Sequence, residues 1–130
     1  MKIPKSVMLI DDNQSTNFIH SIILKSILSP EQIIVHDMAE DALNYLKENN
    51  KPEIIFLDIN MPGMDGWEFL EEYEKSQLSQ DGSIIIVMLT TSLNPDDEKR
   101  IQNYRSVKGF ENKPLTTEKL KDMFDKYLTD

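Results

Sequence analysis

The chain contains no cysteine. That excludes a disulfide framework, a thiolate metal site and a catalytic thiol. Long apolar runs are missing as well. The longest, Ile84 to Leu89, falls far short of the roughly 20 residues that span a bilayer. The opening stretch Met1-Lys2-Ile3-Pro4-Lys5 has neither the apolar centre nor the cleavage site of a secretory signal. Positive charge is scarce: 14 Lys and Arg stand against 23 Asp and Glu, a formal net charge of −9. A surface this acidic repels a phosphate backbone, so no nucleic-acid partner is expected. Lys2 and Lys5 are too few for a membrane patch, so no membrane partner is expected either. A reducing cytoplasm is the simplest location. Repeats and low-complexity tracts are not evident.

What is present is an ordinary globular composition in 130 residues, 39% hydrophobic and 28% charged, the size of one domain. Such a chain can bury roughly two thirds of the surface it exposes when unfolded. Strand and helix patterns alternate from end to end. Ser6–Asp11 reads as a buried strand. Asn13 to about Leu28 reads as a helix, with Phe18, Ile19, Ile22, Ile23 and Ile27 at spacings of three and four. Ile33–Val35 is a short strand and Met38–Glu48 a helix carrying Ala39, Ala42, Leu43 and Leu46 on one stripe. Ile54–Asp58 is the third strand. Pro62-Gly63-Met64-Asp65-Gly66 is a tight loop, and Trp67 follows it at the start of a third helix.

Asp81-Gly82 turns into a fourth strand, Ser83–Leu89. Asn94 can cap the next helix, Pro95 suits its first position, and Asp96, Asp97 and Glu98 face its positive end. That helix is poor in apolar residues, with Ile101 and Tyr104 the main ones, so light packing is expected. Lys108–Glu111 is a fifth strand. Thr116 can cap a final helix with the stripe Leu120, Met123, Phe124, Tyr127 and Leu128. Five strand–helix units of this length imply a parallel sheet with helices on both faces. The near-continuous apolar strands agree, since parallel strands are buried on both sides.

Chemistry gathers where the strands end. The first strand runs into Asp11-Asp12 and the third into Asp58. The fourth ends at Thr90-Thr91, and the fifth leads to Asn112-Lys113-Pro114. In an open parallel sheet the carboxyl ends of the strands form the ligand crevice. Each feature alone has a plain explanation: acids stabilise a helix start by ~0.3–1 kcal/mol, and threonines are common at strand ends. Together they place two acids, a third acid, hydroxyls and an amine on one rim. Mg²⁺ takes oxygen ligands and keeps several waters, so one or two carboxylates suffice. Without a cation, clustered carboxylates repel one another and raise at least one pKa.

These residues resemble the receiver domain of two-component response regulators, of the chemotaxis-regulator type. The matching pieces are Ile10-Asp11-Asp12-Asn13, Leu57-Asp58-Ile59-Asn60-Met61-Pro62-Gly63-Met64-Asp65-Gly66, Leu89-Thr90-Thr91 and Lys113-Pro114-Leu115, covering nearly the whole chain. The resemblance implies a flavodoxin-like, doubly wound five-stranded parallel sheet of order 2-1-3-4-5, with five helices on two faces. It implies that Asp58 is the phosphoacceptor, that Asp12 and Asp58 ligate Mg²⁺ with Asp11 helping through water, and that Asn60 offers its backbone carbonyl. Thr90 would hydrogen-bond the phosphoryl group and Lys113 would pair with it. The Lys113–Pro114 peptide would be cis, and Thr90 with Phe110 would form the switch.

The expected activity is that of a signalling switch, not an enzyme, beyond its own phosphorylation and dephosphorylation. Its partners would be a sensor histidine kinase or a histidine phosphotransfer protein. A downstream protein would read the face built by the fourth helix, fifth strand and fifth helix. The expected organisation is one receiver domain over 1–130 with no output domain; a receiver excised from a hybrid kinase is the variant of that reading.

Two positions depart from common members. Thr91 stands where a small residue is usual, which would narrow access to an acyl phosphate. Phe110 stands where tyrosine is frequent, so no phenolic hydroxyl can signal there. Two rivals share the chemistry or the fold. A Mg²⁺-dependent phosphatase with an aspartyl-phosphate intermediate needs an acid two residues after the nucleophile, and position 60 is Asn60. A flavin-binding domain needs a phosphate loop after the first strand, where Asp11-Asp12-Asn13 would repel the phosphate. His20 and His36 have no ligand partner at useful spacing, and the methionines read as core filler.

Overall fold

In the computed structural model, residues 2–79, 82–91 and 94–128 are described; the expected turn residue Asp81 lies outside them. Five strands, β1 (Val7–Ile10), β2 (Ile33–His36), β3 (Ile54–Asp58), β4 (Ile85–Thr90) and β5 (Val107–Asn112), alternate with five helices. These are α1 (Gln14–Lys25), α2 (Ala39–Lys47), α3 (Gly66–Lys75), α4 (Pro95–Ile101) and α5 (Thr117–Tyr127). All strand pairs are parallel, in the order β2-β1-β3-β4-β5.

Alternation along the central strands divides the core into two layers. Met8 and Ile10 of β1 pack with Ala42, Leu46, Phe69 and Leu70 from α2 and α3. Val7 and Leu9 pack with Leu24 from α1 and Leu120 and Phe124 from α5. An irregularity breaks the alternation in β5. Ile86 pairs with Val107 but Val87 pairs with Gly109, leaving Lys108 as the extra residue. A bulge of this kind flips the side chains that follow it. Val107 and Phe110 therefore both lean on the α2–α3 layer.

Local chemistry fixes the helix starts. The Asn13, Asn94 and Thr116 side chains accept from Thr16 N, Asp97 N and Lys119 N. Asp65 and Glu68 form a reciprocal capping box at α3. As the composition of α4 predicts, that helix has no buried residue. Ile101 packs on the α2–α3 core layer; beside it Trp67 and Tyr104 stack at 5.8 Å, and Arg100 lies 4.5 Å over the Trp67 ring.

The first helix corrects the periodicity reading. Phe18, Ile19 and Ile22 are each more than half exposed. The buried face is Asn17, His20 and Leu24, with Ile23 and Ile27 only partly covered. The two polar side chains sit inside because each has a backbone partner. Asn17 Nδ2 donates to Asp11 O at 2.7 Å, and His20 Nε2 accepts from Leu115 N at 3.1 Å.

Candidate functional site

The strand register brings the rim together. Ile10 pairs with Leu57, Asp58 with Leu89, and Thr90 with Asn112. Asp11, Asp58, Thr90 and Lys113 therefore stand on one edge of the sheet, from four successive strand ends. The carboxylates of Asp11, Asp12 and Asp58 each place an oxygen within 4.8 Å of the others. Asp11 and Asp58 are buried and Asp12 is exposed. Thr90 is buried at the end of β4, and Asn60 is exposed on the loop after β3.

Lys113 joins the acids from the side. Its Nζ donates to Asp11 Oδ2 at 2.6 Å and to Asp58 Oδ1 at 2.9 Å. Lys113 N donates to Thr90 O at 2.7 Å, and the Lys113–Pro114 peptide is cis. Asp11 is fixed from its other side by Asn13 N, which donates to its Oδ1 at 2.9 Å. Phe110 is half-buried against the α2–α3 layer.

The electrostatics follow from this packing. Burial pushes the Asp58 carboxyl up to about 6; the Lys113 hydrogen bond pulls it back down, while the Asp11 and Asp12 charges add to the rise. Burial pulls the Lys113 ammonium down, but its bonds to Asp11 and Asp58 outweigh that and leave it above the usual lysine value. A divalent cation is the group that would relieve the strain between buried acids. The donor set is made of hard oxygens, with an exposed face at Asp12 where waters can complete a coordination shell, so the residues fit Mg²⁺.

Gly66 entered the sequence reading as loop punctuation and as the end of the matching Leu57–Gly66 stretch, without a role at the site. A Cβ there would lie 2.6 Å from Asp58 O and 3.0 Å from the Ile59 Cα. Gly66 N donates to Ile59 O at 2.8 Å. The start of α3 thus packs directly on the backbone that presents Asp58, and only glycine leaves the room. His20 is the other missed residue. Its expected plainness rested on the lack of ligand spacing, and its partner is a backbone amide more than 90 residues away in sequence.

The chain belongs to the response regulator receiver domain family, whose family model matches residues 7–125. It is 31% identical over 101 residues to Response regulator Rcp1 of Synechocystis, covering 72% of this chain and 67% of that protein. It is 30% identical over 100 residues to hybrid signal transduction histidine kinase D of Dictyostelium discoideum, covering 73% of this chain but 6% of that protein. Among solved structures, a two component response regulator from Cytophaga hutchinsonii superposes with a TM-score of 0.83 at 32% identity. That match covers 93% of this chain and 94% of the other. The protein is a receiver domain of two-component signalling with a doubly wound parallel sheet. Among the described residues, no helix is long and apolar enough to cross a membrane.

Proposed function

We propose that this protein is a phosphorylation-dependent switch in which Asp58 accepts a phosphoryl group from a phosphohistidine. The single observation that carries the reading is the Lys113 ammonium, 2.6 Å from Asp11 and 2.9 Å from Asp58 at a three-carboxylate rim. An Asp58 oxygen attacks phosphorus, the P–N bond to the donor imidazole breaks, and that nitrogen keeps the electron pair and takes a proton from solvent. Such transfer depends on positioning and charge neutralisation more than on covalent help from the protein. Lys113 supplies a fixed positive charge beside Asp58. Asp11, Asp12, Asp58 and the Asn60 carbonyl would hold Mg²⁺, which supplies further neutralisation when bound. Thr90 closes the rim from β4 and would donate to the phosphoryl oxygens.

The partner class follows from access. A donor protein that brings a phosphohistidine to Asp58 must cover the rim. Beside that rim α1 exposes Phe18, Ile19 and Ile22, an apolar face suited to a histidine kinase or phosphotransfer protein. Output would leave through α4, β5 and α5. The β5 bulge turns Phe110 onto the α2–α3 layer, against which Ile101 of α4 also packs, and the lightly packed α4 suits a two-state element. A location in the cytoplasm belongs to this reading. The test is uptake of phosphoryl from acetyl phosphate with and without Mg²⁺, followed by intact mass. One group added to wild type and none to Asp58→Asn supports it; equal labelling of both refutes it.

A further inference from the structure

His20 sits on the inward face of α1 with only 1% of its surface exposed. Its Nε2 accepts the Leu115 amide hydrogen at 3.1 Å. Leu115 is also 1% exposed, so water cannot stand in for that acceptor. The bond ties α1 to the segment from Asn112 to Leu115, which carries Lys113. The same segment is held at other points. Lys113 N donates to Thr90 O at 2.7 Å. Lys119 Nζ, from α5, donates to Asn112 O at 2.9 Å and Pro114 O at 3.1 Å.

The tie to α1 differs from these because α1 also fixes Asp11. Asn13, its cap, donates to the Asp11 carboxylate, and Asn17 donates to the Asp11 carbonyl. One helix therefore holds both ends of the Asp11–Lys113 ion pair: the acid through Asn13 and Asn17, the base through His20 and the Leu115 amide. His20 also lines a cleft of about 210 Å³ together with Lys113, Pro114 and Thr91.

We propose that His20 is a positioning residue for phosphoryl chemistry at Asp58: its ring nitrogen fixes the Leu115 amide and so sets where the Lys113 side chain leaves the backbone. This rests on the reading of Asp58 as phosphoacceptor. The role requires a neutral imidazole with its proton on Nδ1, because Nε2 is the acceptor. Burial holds the ring below the usual histidine value; Asp11 opposes that, and Lys113 and Lys119 reinforce it.

The test compares wild type, His20→Leu and His20→Gln. Leucine fills the space but cannot accept the amide hydrogen; the glutamine Oε1 can. Three things are measured: kcat and KM for phosphoryl uptake from acetyl phosphate at saturating Mg²⁺, Mg²⁺ affinity by calorimetry without phosphodonor, and Leu115 amide exchange. A small misplacement of a catalytic group is enough to lose one or two orders of magnitude, so His20→Leu is expected to lose at least about tenfold in kcat. It should keep its Mg²⁺ affinity and exchange the Leu115 amide faster, while His20→Gln restores kcat and the slow exchange. In wild type, the long-range proton–nitrogen spectrum should show the His20 proton on Nδ1.

Wild-type kcat in a folded His20→Leu would overturn the proposal. So would a folded His20→Gln as slow as the leucine variant, or a wild-type ring protonated on Nε2. If His20→Leu does not fold, the glutamine variant and the wild-type tautomer decide. Failure of wild type itself to take phosphoryl would overturn the Asp58 reading and this role with it. Normal labelling of wild type with no effect in His20→Leu overturns the role of His20 alone.

Discussion

Replacing Asp58 by asparagine should make the metal-free fold more stable, and the gain should depend on pH. In the folded chain burial holds the Asp58 carboxyl at about 6, against an ordinary value of 3.8. The folded state therefore binds this proton more tightly than the unfolded state. The resulting stability is fully present below the ordinary value and is lost as pH rises through about 6. A shift from 3.8 to about 6, at 1.36 kcal/mol per unit, amounts to about 3 kcal/mol lost once Asp58 is fully ionised.

Asparagine keeps the shape of the protonated acid and does not ionise, while Lys113 retains Asp11. We expect Asp58→Asn to exceed wild type by about 2–3 kcal/mol at pH 8 and by only about 0.5 kcal/mol at pH 4. The assay is urea unfolding in a chelating buffer across that range. Mg²⁺ should close the gap from the wild-type side, since metal at a hundred times its Kd adds about 2.7 kcal/mol to whichever fold binds it. An Asp58→Asn advantage that is absent at pH 8, or equal at pH 4 and pH 8, would refute the reasoning.

Asp12→Ala should abolish Mg²⁺ binding and modestly stabilise the metal-free fold, because Asp12 contributes to the raised Asp58 carboxyl; an unchanged calorimetric Mg²⁺ titration would count against the site. Lys113→Ala should still take phosphoryl slowly but lose the response of partner affinity to phosphorylation, which a normal response in a pull-down would contradict. Gly66→Ala should slow phosphoryl uptake and lower thermal stability, since its Cβ would meet the Asp58 carbonyl at 2.6 Å; wild-type uptake would show that α3 does not position the site. A phosphoryl mimic should move amide shifts across residues 95–112, with typical coupling of ~1–3 kcal/mol to a partner; silence there would mean that the signal leaves by another face.

The central strands β1, β3 and β4 were legible because parallel strands buried on both sides read as apolar runs. Their ends were legible for the same reason, since a run that stops at Asp11-Asp12, Asp58 or Thr90 marks the rim directly. The face of α1 was not legible. Spacing alone assigns Phe18, Ile19 and Ile22 inward, yet they are exposed, because Asn17 and His20 find backbone acceptors and donors that no periodicity displays. The tie from His20 to Leu115 spans most of the chain and exists only once β5 lies beside β4. Likewise, the extra residue Lys108 in β5 turns Phe110 onto the α2–α3 layer, and no alternation rule applied to Val107–Asn112 could place it there.

The most direct test of the central claim is to locate the phosphoryl group at peptide level. Wild type is incubated with Mg²⁺ and acetyl phosphate, reduced with borohydride to trap the acyl phosphate as homoserine, digested and sequenced by mass spectrometry. The account predicts conversion at Asp58 alone, dependent on Mg²⁺ and lost when the sample is first treated with alkali. Conversion at Asp11 or Asp12 instead, or none anywhere, would contradict it.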